Sequence, residues 1–497
     1  MILTIPQLLL CAVGFRLLFS LAKSIQTALF SPLSRIPGPW YMATSDFWLS
    51  THLMRFKQTS TIHELFQIYG PVVRVGPNKV AFCDLAGMRD VYLHHKFPKN
   101  PALYDNFKIA GVDQSLTLFE NTSHAARRRA VGPHYTANVP SFQPVMHKVI
   151  LQLLDSLEAI DGRQPVDCLH LLRCYMVDIV VFSCFGYELG AVQKWTTHEP
   201  DHLSDAITDF PKAGILSSFF PPFVWNILSQ IPNARWKRFT RATKILKEFV
   251  AYRIREMQEM HDGKESADPS TLVERLLQHK DSSTQEGLTL DSVVAETVSH
   301  FIAGSETSST TLSYLLWELC SGDVSQTLRA EIDVAMPDPR EIPDLALLQE
   351  LPYLNAFVQE GLRLHGAVPS LLERVVLPGS DFQLMEYALP PKTIIGTQAW
   401  SVHRVPDVFP SPDIFMPERW LSDEPNVSMR VVHTMPFGLG TRACSGQPLA
   451  QAALRIAVAA LVRNFTISCH ASTTKASMTM RHGFVSVSCH SCSAGCF

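Results

Sequence analysis

Apolar residues recur at helical spacing over most of the 497-residue chain, broken by short polar turns. The strongest such run goes from Thr289 to Cys320, with Thr289 or Asp291 placed as cap and Gly322 as stop. About 30 residues of helix reach roughly 45 Å, enough to cross a whole domain. The run is apolar on all sides, which predicts burial. A period of two appears in VVRV (72–75) and KVAFC (79–83), and Gly76-Pro77-Asn78 between them predicts a hairpin. The stretch 257–287 is polar and charged and is expected on the surface. The pattern therefore predicts a mainly α fold with a small β region.

The first residues, MILTIPQLLLCAVGFRLLFSLAKSIQTALF, are the most apolar of all. Residues 2–22 approach the roughly 20 needed to cross a bilayer. Arg16 is costly inside that run unless it snorkels to a headgroup layer. Arg16, Lys23 and Arg35 lie within or after the run, and the first acidic residue is Asp46. That bias places the body of the protein on the cytosolic side. Residues 1–24 thus read as a membrane anchor, against the blander reading of a helix buried in the body. Residues 25–45 read as a proline-rich hinge, in which SPLSRIPGPW (31–40) should exclude helix. Residues 46–497 read as one catalytic domain, although length alone permits more.

Composition changes this picture little. The chain is 46% hydrophobic and 18% charged, ordinary for a globular protein. A net charge of −3 argues against nucleic-acid binding. Eleven cysteines without framework spacing fit a reducing compartment and buried thiols.

The candidate chemistry lies around Cys444. The segment reads Phe437-Gly-Leu-Gly-Thr-Arg-Ala-Cys444-Ser-Gly446, and Pro448 opens an apolar helix after it. A cysteine on a glycine-bearing loop before a helix N-terminus meets free N–H groups and the helix dipole, and both favour a thiolate. Gly438, Gly440 and Gly446 would let a flat, bulky group approach the backbone. Arg442 could meet an anionic group. An inert buried cysteine and a nucleophilic cysteine remain open, though no base for the latter is identifiable. Gly438-x-Gly440-x-x-Ala443 mimics a dinucleotide fingerprint, but no strand precedes it and no acidic residue occurs after Glu424.

The whole segment resembles the haem-binding loop of the cytochrome P450 family, F-x-x-G-x-R-x-C-x-G, matched by Phe437, Gly440, Arg442, Cys444 and Gly446. The resemblance implies haem b with Cys444 as axial iron ligand and Arg442 on a propionate. Phe437, Gly438 and Gly446 would line the cofactor. A thiolate ligand pushes electron density onto iron and favours O–O cleavage.

Three further motifs follow the family's order. Glu360 and Arg363 share a helix face, and alone they would be a surface ion pair. In the family this E-x-x-R pair is buried and joins the arginine of a P-E-R motif, here Arg419 of Pro417-Glu418-Arg419-Trp420. Ala303-Gly304-Ser305-Glu306-Thr307 matches A/G-G-x-D/E-T; alone it would be a helix kink with back-bonded hydroxyls. The resemblance makes Thr307 the hydroxyl at the dioxygen site. It makes Glu306, about 100° round the helix, a proton relay on a water path. His124 stands where tryptophan is commoner in W-x-x-x-R; with Arg128 it is expected to hold a propionate, and Arg374 is a further candidate.

After Glu424 the chain carries Arg430, Arg442, Arg455, Arg463, Lys475 and Arg481 and no carboxylate, which reads as a basic face for an acidic electron donor. The blander reading is that several are buried. Cys489, Cys492 and Cys496 with His490 resemble a metal spacing, but a frayed terminus is the better reading.

By family analogy, substrate would meet Tyr104–Glu120, Phe210–Val224, Phe301, Ala303, Ala367–Leu372 and the turn at Phe484. These segments are apolar, so a hydrophobic small molecule delivered from membrane lipid is expected. The resemblance implies electrons from an NADPH-cytochrome P450 reductase, with cytochrome b5 as a further donor. It also implies a single-pass location in the endoplasmic reticulum membrane with the catalytic domain in the cytosol. The hinge style and the SVHR…PERW spacing are most similar to fungal enzymes of secondary metabolism, and a terpenoid is the first substrate expected. Two alternatives stay open: a haem-thiolate isomerase or dehydratase needing no reductase, and a haem sensor or carrier without turnover. Glu306-Thr307 argues against both.

Overall fold

The computed structural model describes residues 5–487 except 219, 261–269, 281–284, 321, 423, 425 and 484. Helix α1 (Ile5–Phe30) runs six residues into the stretch read as hinge. The proline-rich segment is not free of helix either: Pro32–Arg35 makes one 3-10 turn. Proline at the first helical position gives up an N–H that has no partner there in any case, so the turn costs little.

Strands β1 (Val72–Gly76) and β2 (Lys79–Phe82) form the expected hairpin, with Val72 opposite Phe82 and a register shift between Arg74 and Gly76. Arg74 points back at α1. Its guanidinium is buried and donates to the carbonyls of Thr27 (3.0 Å), Ala28 (3.4 Å), Gly76 (3.2 Å) and Pro77 (2.7 Å). The last turn of a helix leaves its carbonyls without intrahelical donors, and Arg74 supplies two of them. A Cβ on Gly38 would stand 2.5 Å from the Arg74 carbonyl oxygen, so the chain after α1 is pressed onto this strand.

The body is helical. The helices that build the site are α2 (Asn121–Ala137), α3 (Val139–Ile160), α4 (Cys168–Phe185), α5 (His202–Ser218), α6 (Ala234–Met260), α7 (Leu272–Gln278), α8 (Leu290–Glu318), α9 (Pro352–Leu364) and α10 (Gln447–Asn464). Between α9 and α10, strands β3 (Arg374–Val375) and β4 (Ile394–Gly396) complete a sheet of order β1-β2-β4-β3, with β4 parallel to β2 and antiparallel to β3.

The long α8 forms as its pattern predicts. Thr289 caps it by accepting from the Ser292 N–H at 3.2 Å, and Val293, Val298, Leu312 and Leu315 are fully buried. Gly322 opens the next helix, Gly322–Ala335, instead of only ending this one. Helix α4 is long and apolar enough to cross a bilayer, but it lies 89% buried against α8 in the core. A Cβ on Gly304 would meet Val180 at 2.7 Å, so this glycine sets how closely α8 approaches α4.

The polar stretch 257–287 is not wholly a surface segment. Within it, α7 buries Leu272, Val273 and Leu276 completely. Thr271 and Glu274 close a reciprocal capping box at its start. Three apolar contacts on so short a helix are easily lost among charged neighbours in the sequence.

Candidate active site

The segment before α10 is wound tightly. The Cys444 N–H donates to the Phe437 carbonyl at 2.8 Å, and Gly438 N–H to the Met435 carbonyl at 3.0 Å. Phe437 packs on the main core and Gly446 is the cap residue of α10. Gly440 has φ +66°, and a Cβ there would lie 2.3 Å from the Tyr92 carbonyl oxygen. Glycine at this position therefore permits close backbone contact with Tyr92.

The N–H groups of Gly446 and Gln447 at the start of α10 favour negative charge on the Cys444 sulfur. Burial nonetheless pushes its thiol above the ordinary value. Those N–H groups and the Arg128 guanidinium pull against the shift without reversing it. The helix terminus alone does not secure the thiolate; a metal cation at the sulfur would. Arg128 donates to the Ala443 carbonyl at 2.8 Å, so it grips the cysteine loop beside Cys444.

Behind the loop lies a buried ion cluster. Arg363 donates twice to Glu360, from Nε and Nη2, each at 2.8 Å. Arg419 Nε donates to Glu360 at 2.9 Å and Trp420 Nε1 at 2.8 Å. Burial would raise the Glu360 pKa, but the two guanidinium groups and the Met416 N–H hold it below the ordinary value. His403, which sequence reasoning missed, joins this cluster to the loop. Its Nε2 accepts from the Met435 N–H at 2.8 Å, so Nδ1 carries the proton and donates to the Arg363 carbonyl at 2.9 Å. The string SVHR held the only signal for it.

A third group is cationic. Lys99, also missed, pairs by backbone with Arg374, and both are buried. Burial lowers the Lys99 pKa well below its ordinary value, and Arg374 and Arg442 lower it further. Burial, then Arg374, brings Arg442 down to about 10. Burial, then Arg442, Lys99 and Arg128, brings His124 to about 3, so its ring is neutral. Arg442 donates to the carbonyls of Leu118 (2.5 Å) and Phe119 (2.7 Å), while its Nε is buried without a partner. Arg374 lies over the Tyr92 ring at 4.8 Å. Mutually repelling cations with an orphaned donor call for anions, and two carboxylates on one ligand would supply them.

The opposite wall is α8. Ala303 keeps exposed surface in the middle of this buried helix, and so does Cys444, although protein surrounds it. Thr307 donates its hydroxyl to the Ala303 carbonyl at 2.6 Å, leaving its oxygen as acceptor. Glu306 turns away from this surface. Arg173 of α4 approaches it to 2.5 Å, and Thr208 of α5 donates to it at 3.3 Å. Phe301 shares none of this exposed surface: it is fully buried between Phe185 and Phe249, each 6.0 Å away. It stands two residues from Ala303, roughly 200° round the helix. Exposed surface at Ala303 and Cys444, beside the cationic cluster of Arg442, Arg374 and Lys99, makes a set of residues that fits haem. Iron would sit at Cys444 and the propionates at Arg442, Arg374, Lys99 and His124.

Other expectations fare differently. The run after Glu424 is not one basic face. Arg430 is buried and donates to the Arg419 carbonyl, Arg455 binds Asn355, and Arg463 binds the Met336 carbonyl. Lys475 and Arg481 stay exposed. Arginine in a carbonyl-rich turn is drawn inward by its five donors whatever the local charge balance. Phe484 and the Cys489, Cys492 and Cys496 tail lie outside the described residues, and among the described residues no group of three His, Cys, Asp or Glu could hold a metal ion.

Comparison with known proteins agrees with this geometry. The family model Cytochrome P450 matches residues 35–489. The cytochrome P450 monooxygenase orf2 of Aspergillus niger is 28% identical over 93% of this chain and 92% of its own length. The cytochrome P450 monooxygenase stcB of Emericella nidulans is 28% identical over 89% of this chain and 84% of its own. The cytochrome P450 monooxygenase sdnE of Sordaria araneosa is 28% identical over 94% and 93%. A match that runs from the proline-rich turn to the last described strand, and so takes in Ala303–Thr307, the Glu360–Arg363–Arg419 cluster and the Cys444 loop, makes this chain a member of the cytochrome P450 family.

Proposed function

We propose that this chain is a haem-thiolate monooxygenase that oxidises a hydrophobic small molecule, a fungal natural product such as a terpenoid. The observation that carries the reading is the exposed surface of Cys444 and of Ala303 on an otherwise buried helix, together with the cationic cluster of Arg442, Arg374 and Lys99. Haem bound there would supply the reductive activation of dioxygen, in which two electrons and two protons accompany insertion of one oxygen atom into a C–H or C=C bond and release of the other as water.

The chain's own residues set the conditions. The N–H groups of Gly446 and Gln447 and the charge of Arg128 stabilise negative charge on the Cys444 sulfur. Arg442, Arg374 and Lys99 orient the cofactor through its carboxylates, with His124 as a neutral donor beside them. Thr307 presents a hydroxyl oxygen to the interior and accepts a proton-bearing partner there. Glu306 supplies protons from the Arg173 side of α8. The apolar surface near Ala303 excludes water around the substrate. Electrons come from an NADPH-dependent reductase, with cytochrome b5 as a further donor. The 26-residue α1, with Phe15, Leu18, Phe19, Leu29 and Phe30 exposed, anchors the protein in the endoplasmic reticulum membrane with the body in the cytosol.

The reduced protein with carbon monoxide is expected to show the strongly red-shifted Soret band of thiolate ligation, and Cys444→Ser to lose it. A folded, haem-loaded preparation without that band refutes the reading. Turnover is expected to need both NADPH and reductase, and removal of residues 1–30 to shift the protein from the membrane to the soluble fraction.

A further inference from the structure

A buried carboxylate outside every motif above ties three walls of the interior together. Glu296 lies on α8 about two turns before Ala303 and has no exposed side-chain surface. Its Oε2 meets Arg127 of α2 at 2.6 Å and accepts from the Ser115 N–H at 2.9 Å. Its Oε1 lies 3.3 Å from His300 Nε2, and His300 Nδ1 is hydrogen-bonded to the Tyr135 hydroxyl at 2.7 Å. Burial would raise the Glu296 pKa, but His300, Arg127 and the Ser115 N–H outweigh it and hold the group at about 2. Glu296 is therefore an anion with every contact satisfied.

Ser115 belongs to the loop 109–119, which is pinned at three points. Arg442 donates to Leu118 and Phe119, and Lys99 Nζ donates to the Leu116 carbonyl at 2.8 Å. Glu296 is the third pin. The first two are cations that haem carboxylates would attract, and a carboxylate is a stronger acceptor for them than a backbone carbonyl. An anionic pin has no such competitor, so binding of the cofactor leaves it in place.

We propose that Glu296 is a positioning residue that latches the loop 109–119 in the haem-loaded enzyme and so controls passage of ligands into the interior. The proposal rests on the haem site assigned above. Its chemistry is one charge-assisted hydrogen bond from a loop amide to a helix carboxylate, braced by Arg127.

Two variants of the full-length holoenzyme test it. Glu296→Gln removes the charge but leaves Arg127 buried without its partner. Ser115→Pro removes the loop N–H, along with the Ser115 hydroxyl, and keeps the Glu296–Arg127 pair. Both are expected to retain the red-shifted band with carbon monoxide. Amide hydrogen exchange in residues 110–119 is expected to rise about tenfold or more, the equivalent of one charged hydrogen bond. Carbon monoxide rebinding after flash photolysis, and binding of 4-phenylimidazole to the iron, are expected to become severalfold faster, while exchange in α9 stays unchanged. Wild-type exchange and rebinding in Ser115→Pro would overturn the latch, whatever Glu296→Gln does. So would loss of the band in Ser115→Pro, because the loop would then hold the cofactor rather than admit ligands to it. Absence of the band in the wild type refutes the haem site instead, which separates the two failures.

Discussion

A methyl group at Gly440 has nowhere to go: the Tyr92 carbonyl oxygen occupies the space, and φ is +66°. Gly440→Ala is expected to cost about 2–3 kcal/mol and to loosen the cysteine loop, read as a lower urea midpoint for haem absorbance. Thr307→Ala should behave differently. The hydroxyl is bonded within its own helix turn, so the fold and the carbon monoxide band should survive, while NADPH consumption should yield hydrogen peroxide in place of product. Full coupling in that variant would remove Thr307 from proton delivery. Single residues were legible in the sequence where a spacing tied them to others. Cys444, Arg442 and the Glu360–Arg363–Arg419 set all lay in such spacings. Lys99, Arg173, Glu296 and His403 did not announce themselves, because each gains its meaning from a partner far along the chain. Lys99 reaches Arg374, Arg173 reaches Glu306, and Glu296 reaches Arg127 and Ser115. Phe301 shows the reverse error: it is near the oxygen-groove motif in sequence but on the other side of α8.

Between elements, a chain of hydrogen bonds runs from α9 through His403 to the turn before Cys444. His403→Phe would leave the Arg363 carbonyl and the Met435 N–H buried without partners, each costing about 1–3 kcal/mol. The expected readout is a larger share of carbon monoxide complex lacking thiolate ligation, at a melting temperature that still reports a folded body. Glu360→Gln, which leaves Arg363 and Arg419 facing each other without an anion, is expected to cost about 3–5 kcal/mol in chemical denaturation. Helical periodicity gave α8 its cap and both its ends closely, since a long run of apolar positions averages out local noise. It failed at α7 for the opposite reason, with three buried residues among many charges. The prolines of 31–40 were read as breakers, although proline at a first helical position is permitted, as Pro32 shows.

Across the whole molecule, buried histidines contribute to the response to acid. Burial brings His134 and His403 to about 3 and His482 to about 4, against 6.5 when exposed in the unfolded chain. The unfolded state therefore binds more protons between those limits. Stability is full above pH 6.5 and falls as pH drops towards 3–4, by about 1.4 kcal/mol per pH unit for each histidine. Denaturation midpoints at pH 7 and pH 5 would show it. His134 has neither ring nitrogen bonded, so His134→Phe should raise stability and flatten this slope. The sequence suggested a basic face from arginine counts alone, and the fold turns most of those arginines inward, so charge on a line does not foretell charge on a surface. Arg74 carries a practical lesson for anyone preparing this protein. Cutting after residue 30 to improve solubility would strip two carbonyls from a guanidinium seated in the sheet, whereas cutting before Lys23 would keep Thr27 and Ala28 in its grasp. The end of α1 is thus wired into the body, and where it is trimmed decides whether the remainder keeps its first strand in order.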